Sequence, residues 1–328
     1  MTEMQSSEAL PLATEDKAPK PSLVRTSRLG ERIAEGAVKF VALTSIAAVL
    51  LILVFVGKEA LPLLYSSEMH QEVTPGALVS VPGHVWQPVS ETPKYDVLPL
   101  FVGSLKVTLV ALLFAVPLSV AAAIFVAEYA PKKVREYIKP AIELLAGVPS
   151  VVVGFFALVV MASWVQRAFG TEHRLNTLVA GIGLSFAICP VVFTVAEDAL
   201  RAVPGSYRAA AMALGSTPST TLARVILPAA ARGIAAAIVL GFGRAVGETM
   251  IVILATGNAA ILDGSLGHST RTITATIAQE LGEVVVGSPH YRVLFALGAI
   301  LFLITFGVNF LGERVVMRMR RKLAGAAK

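Results

Sequence analysis

Two charged residues inside a long apolar run carry the strongest chemical signal in this chain: Arg244 and Glu248, in Gly241-Phe242-Gly243-Arg244-Ala245-Val246-Gly247-Glu248-Thr249-Met250. A charge at the middle of a membrane helix costs about 2.5–3.5 kcal/mol even on permissive insertion scales. Such groups are expected to face a protein interior or a water-filled path. At i and i+4 they share one helix face and can pair. A guanidinium offers a planar fork of donors that fits two oxygens of a phosphate-like anion and stays charged near neutral pH. Glu248 could hold the fork while no anion is present and keep the site from becoming so positive that an anion never leaves. A static pair locking the helix to its neighbours fits the same spacing. Gly243 and Gly247, four apart, would let another helix approach closely.

Other polar groups are weaker candidates. Lys106, near the outer third of the second apolar run, either snorkels to the interface or draws anions inward. Pro149-Ser150 interrupts the third run and predicts a kink near a central pathway. Glu143 suits a helix start. His70, His84, His173, His268 and His290 show no metal spacing, so no metal site is expected. The single Cys189 excludes an intrachain disulfide and a cysteine-based cluster. No G-x-x-x-x-G-K-[ST] loop occurs, so this chain has no phosphate cradle of that kind for ATP. No cofactor is expected in it.

The elements that must hold these residues are membrane helices. Hydrophobic residues make up 55% of the chain, charged residues 15%, and mean hydropathy is +0.73; an ordinary soluble domain carries about 25% charged residues. Apolar runs of about 20 residues, enough to cross a bilayer, recur near 38–56, 97–126, 141–164, 175–195, 234–254 and 293–311. The expected organisation is a disordered tail over 1–37, a first span at 38–57, a loop at 58–96, a five-helix core at 97–313 and a basic tail at 314–328. Within the core, 199–232 forms a loop. With the N-terminus inside, twenty Lys and Arg fall in inside segments and six outside. Both termini and the 199–232 loop are therefore expected in the cytoplasm. The charge of +6 follows from topology and does not call for nucleic acid.

The 199–232 loop has its own grammar. Ala209-Ala210-Ala211-Met212-Ala213-Leu214 favours helix and Gly215 a left-handed stop. Thr217 suits an N-cap and Pro218 the first turn of a second helix. Val225-Ile226-Leu227-Pro228 follows. The whole reads as a helix-turn-helix elbow, although an ordinary interfacial helix pair has the same residues. It is similar to the E-A-A-x3-G-x9-I-x-L-P coupling loop of ABC importer permeases, with Ala209 where that pattern has Glu and Val225 for Ile.

Further segments point the same way. Gly-x-Gly-Arg-Ala-x-Gly-Glu-Thr-Met over 241–250 closely resembles the fifth-span signature of the PstC-type permeases of bacterial phosphate ABC importers. Trp86-x-Pro88, Leu98-Pro99-Leu100-Phe101-x-x-Gly103-Ser104-Leu105, Ala127-Glu128-Tyr129-Ala130-Pro131 and the run from Glu143 to Phe156 agree, as do Thr249-Met250 and Gly257-Asn258. The resemblance implies an all-α polytopic protein of six transmembrane helices with the type I ABC importer permease fold, in a bacterial inner membrane. It implies a PstA-type permease partner, a homodimeric cytoplasmic ATPase binding ATP and Mg, and an extracytoplasmic phosphate-binding protein. Arg244, Glu248, Thr249 and Lys106 are then the expected substrate pathway. Ala209, Ala210, Ala211, Gly215, Leu227 and Pro228 are the expected coupling residues, and Pro149 and Ser150 the pathway kink. Alternatives are a permease for sulfate or molybdate, a gradient-driven secondary transporter or channel, and a platform that signals phosphate supply.

Overall fold

The structure, a computed structural model, describes residues 29–66, 73, 75–79 and 84–325. Residues 1–28 of the expected tail and His70 lie outside them. Contacts divide the chain into two units, Met1–Leu51 and Ile52–Lys328. Helix α1 (Leu29–Ala60) starts well before the expected Val38. Its part in the first unit exposes Val38, Phe40, Leu43, Ile46 and Leu50 on all sides, as suits a helix solvated by lipid.

In the second unit, α2 (Leu98–Tyr129) opens where Asp96 Oδ1 accepts the Leu98 N–H at 2.8 Å. It widens into a π turn over Phe125–Tyr129 and ends before Pro131. Next comes α3 (Lys132–Ala146), which buries no residue in the isolated chain. The expected third span at 141–164 is therefore two elements. Pro149 lacks an N–H and adopts extended backbone (ψ 136°), so α3 stops and the membrane-length helix α4 (Ser150–Phe169) starts afresh. Glu143 lies near the end of α3 and caps no helix start, contrary to expectation.

Helix α5 (Thr177–Arg201) is the centre of the core. Asn176 caps it by accepting the Val179 N–H at 3.0 Å. It packs chiefly on α2 and on α7 (Pro218–Val246) through small residues. A Cβ on Gly181 would lie 2.4 Å from Val110, and one on Gly241 2.6 Å from Val192, so only glycine permits these approaches. A Cβ on Gly243 would lie 3.3 Å from Asn309 of the helix Pro289–Gly325, whereas one on Gly247 would meet only backbone of its own segment within 4 Å, so the expected close approach holds at Gly243 and not at Gly247.

Between α5 and α7 stands α6 (Gly205–Ala213). Beyond α7 come α8 (Met250–Ala255), α9 (Ile273–Glu280) and α10 (Pro289–Gly325). A two-residue hairpin, β1 (Trp86–Gln87) against β2 (Lys94–Tyr95), precedes α2. Among the described residues six helices are long and apolar enough to cross a membrane, ending with Pro289–Arg314. The all-α expectation holds.

Candidate functional site

The expected fifth span is broken where its chemistry lies. Helix α7 ends at Val246, residues 247–249 are non-helical, and α8 begins at Met250. Arg244 and Glu248 therefore do not share a continuous helix face, and no ion pair joins them among the described residues, which corrects the expected pairing. Arg244 is exposed in the last turn of α7, where a cation is favoured by the helix dipole. Its Nε donates to the Ala187 carbonyl of α5 at 3.2 Å. Among the described residues its terminal nitrogens hold no partner.

Glu248 has a different task. Its Oε1 accepts the N–H groups of Thr249 (3.1 Å) and Met250 (3.2 Å), so it caps α8. The Thr274 hydroxyl of α9 donates to the Glu248 carbonyl at 2.9 Å and braces the break. Thr249 is half-buried, and its hydroxyl donates to the Gly247 carbonyl at 3.4 Å. The Pro149-Ser150 break lies beside this one, because α4 packs along α8. A Cβ on Gly154 would sit 3.0 Å from Ile251 Cα. Two interrupted helices thus lie side by side, an arrangement in which irregular backbone at membrane depth lines a cavity or is buried in protein.

Lys106 is already engaged. Its ammonium donates to the carbonyls of Asp263 (2.9 Å) and Ser265 (2.7 Å) and pins the loop after α8 to α2. The Asp263 carboxyl is held below its ordinary range, first by the Ser265 N–H at 3.0 Å and then by His268.

The elbow forms as its residues predict. Ala209, Ala210 and Ala211 lie in α6. Gly215 (φ +79°) ends the helix, with Gly215 N–H on Met212 O (2.9 Å) and Ser216 N–H on Ala211 O (3.1 Å). These are the paired bonds of a Schellman stop. Thr217 accepts the Thr220 N–H at 3.3 Å and Pro218 opens α7. A π turn over Leu222–Ile226, just before Leu227, absorbs the N–H missing at Pro228. Leu214 is 90% exposed, and Tyr207 and Met212 are exposed beside it.

Several residues that brace this elbow escaped sequence reasoning. Arg208 pairs with Glu128 at the end of α2, and donates to the carbonyls of Val203 (2.9 Å) and Leu200 (3.2 Å). Hydrogen bonding to Glu128 raises the guanidinium further above its usual range. Arg135 of α3 donates to the carbonyls of Val126 and Ala127 at 2.9 and 3.1 Å. Glu197, fully buried in α5, sits between Lys139 of α3 (2.7 Å) and Arg201 (2.5 Å). That hydrogen bond raises the Lys139 ammonium against the opposing effect of burial. A carboxylate inside an apolar run was a signal that could have found Glu197. The expectation of no metal site rested on histidine spacing along the chain; folding brings Glu172, His173 and His268 together regardless.

Residues 94–321 match the family described as binding-protein-dependent transport system inner membrane component. The chain is 32% identical over 295 residues to the phosphate transport system permease protein PstC of Mesorhizobium japonicum, covering 84% of this chain and 89% of that one. It is 38% identical over 223 residues to the probable ABC transporter permease protein YqgH of Bacillus subtilis, covering 67% and 72%. Among solved structures it resembles a chain of a bacterial alginate ABC transporter, with TM-score 0.58, 16% identity and coverage of 89% and 98%. It also resembles a chain of the MetNI methionine ABC transporter, with TM-score 0.53, 19% identity and coverage of 67% and 96%. At these identities the structural likeness concerns the fold alone, that of type I ABC importer permeases.

Proposed function

This chain belongs to the family of binding-protein-dependent transport system inner membrane components, and we propose that it is the permease subunit through which an ATP-driven importer admits inorganic phosphate. It lies in the bacterial inner membrane with both termini and the elbow in the cytoplasm. A PstA-type permease completes the pathway, a homodimeric ATPase on separate chains binds ATP and Mg, and an extracytoplasmic protein delivers phosphate.

The observation that carries this reading is Arg244. It stands at the α7–α8 break, positioned through Nε by Ala187, with the end of its fork open and no carboxylate neutralising it among the described residues. That end offers parallel donors to two phosphate oxygens. Glu248 occupies the first amides of α8, which would otherwise compete for the anion, so Arg244 remains the anion's partner. Thr249 lines the same break. Lys106 acts by holding the outer loop in place.

Alternating access follows from the connections. Closure of the ATPase moves the elbow at Tyr207, Met212 and Leu214. The Arg208–Glu128 pair carries the movement to α2, and Glu197 with Lys139 carries it to α3 and α5. Ala209 leaves the elbow without the usual leading carboxylate, so its docking rests on apolar contact.

The test is radiolabelled phosphate uptake in cells lacking their own high-affinity system, with the partner chains supplied. Uptake that requires ATPase activity and falls at least tenfold in Arg244→Gln, at equal membrane abundance, is the expected result. Uptake that survives the change removes Arg244 from the pathway, and accumulation of sulfate or molybdate in place of phosphate replaces the substrate.

A further inference from the structure

A group of donors lies at the opposite end of α5 from the elbow, outside the break and the elbow. His173 and Glu172 sit on the loop between α4 and α5, and His268 on the loop between α8 and α9. One ligand atom from each of Glu172, His173 and His268 lies within 4.8 Å of the others. The two imidazole rings meet edge to face, 5.3 Å between centroids. His268 Nε2 is 3.6 Å from a Glu172 carboxylate oxygen. That is close to the edge of a tetrahedron of zinc ligands, roughly 3.4 Å for bonds of about 2.1 Å.

Hydrogen bonds hold both loops against the start of α5. The Thr177 N–H donates to the His268 carbonyl at 3.2 Å, and the Leu178 N–H to the Leu266 carbonyl at 3.1 Å. The Asn176 side chain donates to the His173 carbonyl at 2.7 Å. Gly170, at φ +64°, turns the chain out of α4 into this loop. Asp263 bonds Nδ1 of His268, while its other oxygen is held by the Ser265 N–H. A carboxylate on one ring nitrogen fixes the tautomer that leaves the other nitrogen free to ligate, the usual second shell of a metal-bound histidine.

We propose that Glu172, His173 and His268 bind a divalent transition-metal ion of the zinc class, with Asp263 as the residue positioning His268. Two imidazoles and one carboxylate suit Zn²⁺ and disfavour Ca²⁺ and Mg²⁺, which take oxygen ligands. Three protein ligands leave a fourth position for water. The ion joins the α4–α5 loop to the loop that Lys106 also pins, so it stiffens the face of the permease opposite the elbow.

The test is Zn²⁺ binding to the full chain in lipid nanodiscs, carrying no polyhistidine tag and kept free of phosphate buffer. One Zn²⁺ per chain is expected in equilibrium dialysis, undiminished by excess Ca²⁺ or Mg²⁺. Co²⁺ in its place should give the visible absorption of a four-coordinate nitrogen–oxygen site without thiolate charge transfer. His173→Ala and His268→Ala should each abolish binding, and Asp263→Asn should weaken it about 10–100-fold. Melting temperatures without metal verify that the variants fold, and only the wild type should gain stability from Zn²⁺. Absence of stoichiometric Zn²⁺ binding by the wild type overturns the proposal, as does retention of the site in folded His173→Ala/His268→Ala.

Discussion

Arg208 shows how one side chain can serve several elements at once. Its guanidinium pairs with Glu128 on α2 and donates to the carbonyls of Leu200 in α5 and Val203 just after it, while its backbone belongs to the elbow helix. Both partners are largely buried, so removing one leaves a carboxylate without its compensating charge. Hydrogen bonds to charged groups contribute about 1.5–3 kcal/mol. Arg208→Ala should therefore destabilise the chain by about 2 kcal/mol on that scale. Thermal unfolding in detergent should show the loss. A double-mutant cycle with Glu128→Gln should then give strong non-additivity; additive effects would mean the pair contributes little. The loss of uptake expected in Arg244→Gln likewise depends on the open end of one fork.

At the scale of the element, the elbow and the broken helices behave differently. The elbow is local: alanines, a left-handed glycine, an N-cap and a proline, each acting within a few residues. Gly215 holds φ at +79° with open space around it. An alanine there meets backbone strain without a packing clash, costing about 1–2 kcal/mol. Gly215→Ala should fray the turn, leave the proposed phosphate contact of Arg244 unchanged and slow uptake per ATP hydrolysed. A coupled transport and ATPase assay in proteoliposomes would measure this, and unchanged coupling would show that the turn is not needed to transmit movement. The breaks after Ala146 and Val246 differ in how local their causes are. Proline explains the first. The second needs Glu248 to cap α8 and Thr274 to hold the Glu248 carbonyl from another helix.

For the whole molecule, the distribution of Lys and Arg sets which way the chain sits in the bilayer. The excess of Lys and Arg on the elbow side predicts that side in the cytoplasm. In a Cys189→Ser background, Ser216→Cys should react with a membrane-impermeant maleimide only after the membrane is opened. Thr171→Cys should react in intact cells whose outer membrane has been made permeable. The reverse pattern would invert the topology and place the proposed metal site inside.

The six apolar helices, the all-α class and the elbow were legible in the sequence because their causes are local. Apolar runs of bilayer length, a glycine that stops a helix and a threonine that caps one act within a turn or two of chain. Arg244 was legible as an oddity, since a charge in an apolar run is conspicuous wherever it points. Its partner was not. Spacing alone put Glu248 on the same face, but the backbone breaks between them, and the competing amides of α8 took the carboxylate. Likewise Lys106 reached the carbonyls of Asp263 and Ser265, Arg208 reached Glu128, and His268 reached His173 and Glu172, each across long stretches of chain. Hydropathy and periodicity constrain what a residue's near neighbours do. Which distant donor meets which acceptor depends on how closely α2, α5 and α7 pack, and that was decided only when the helices came together.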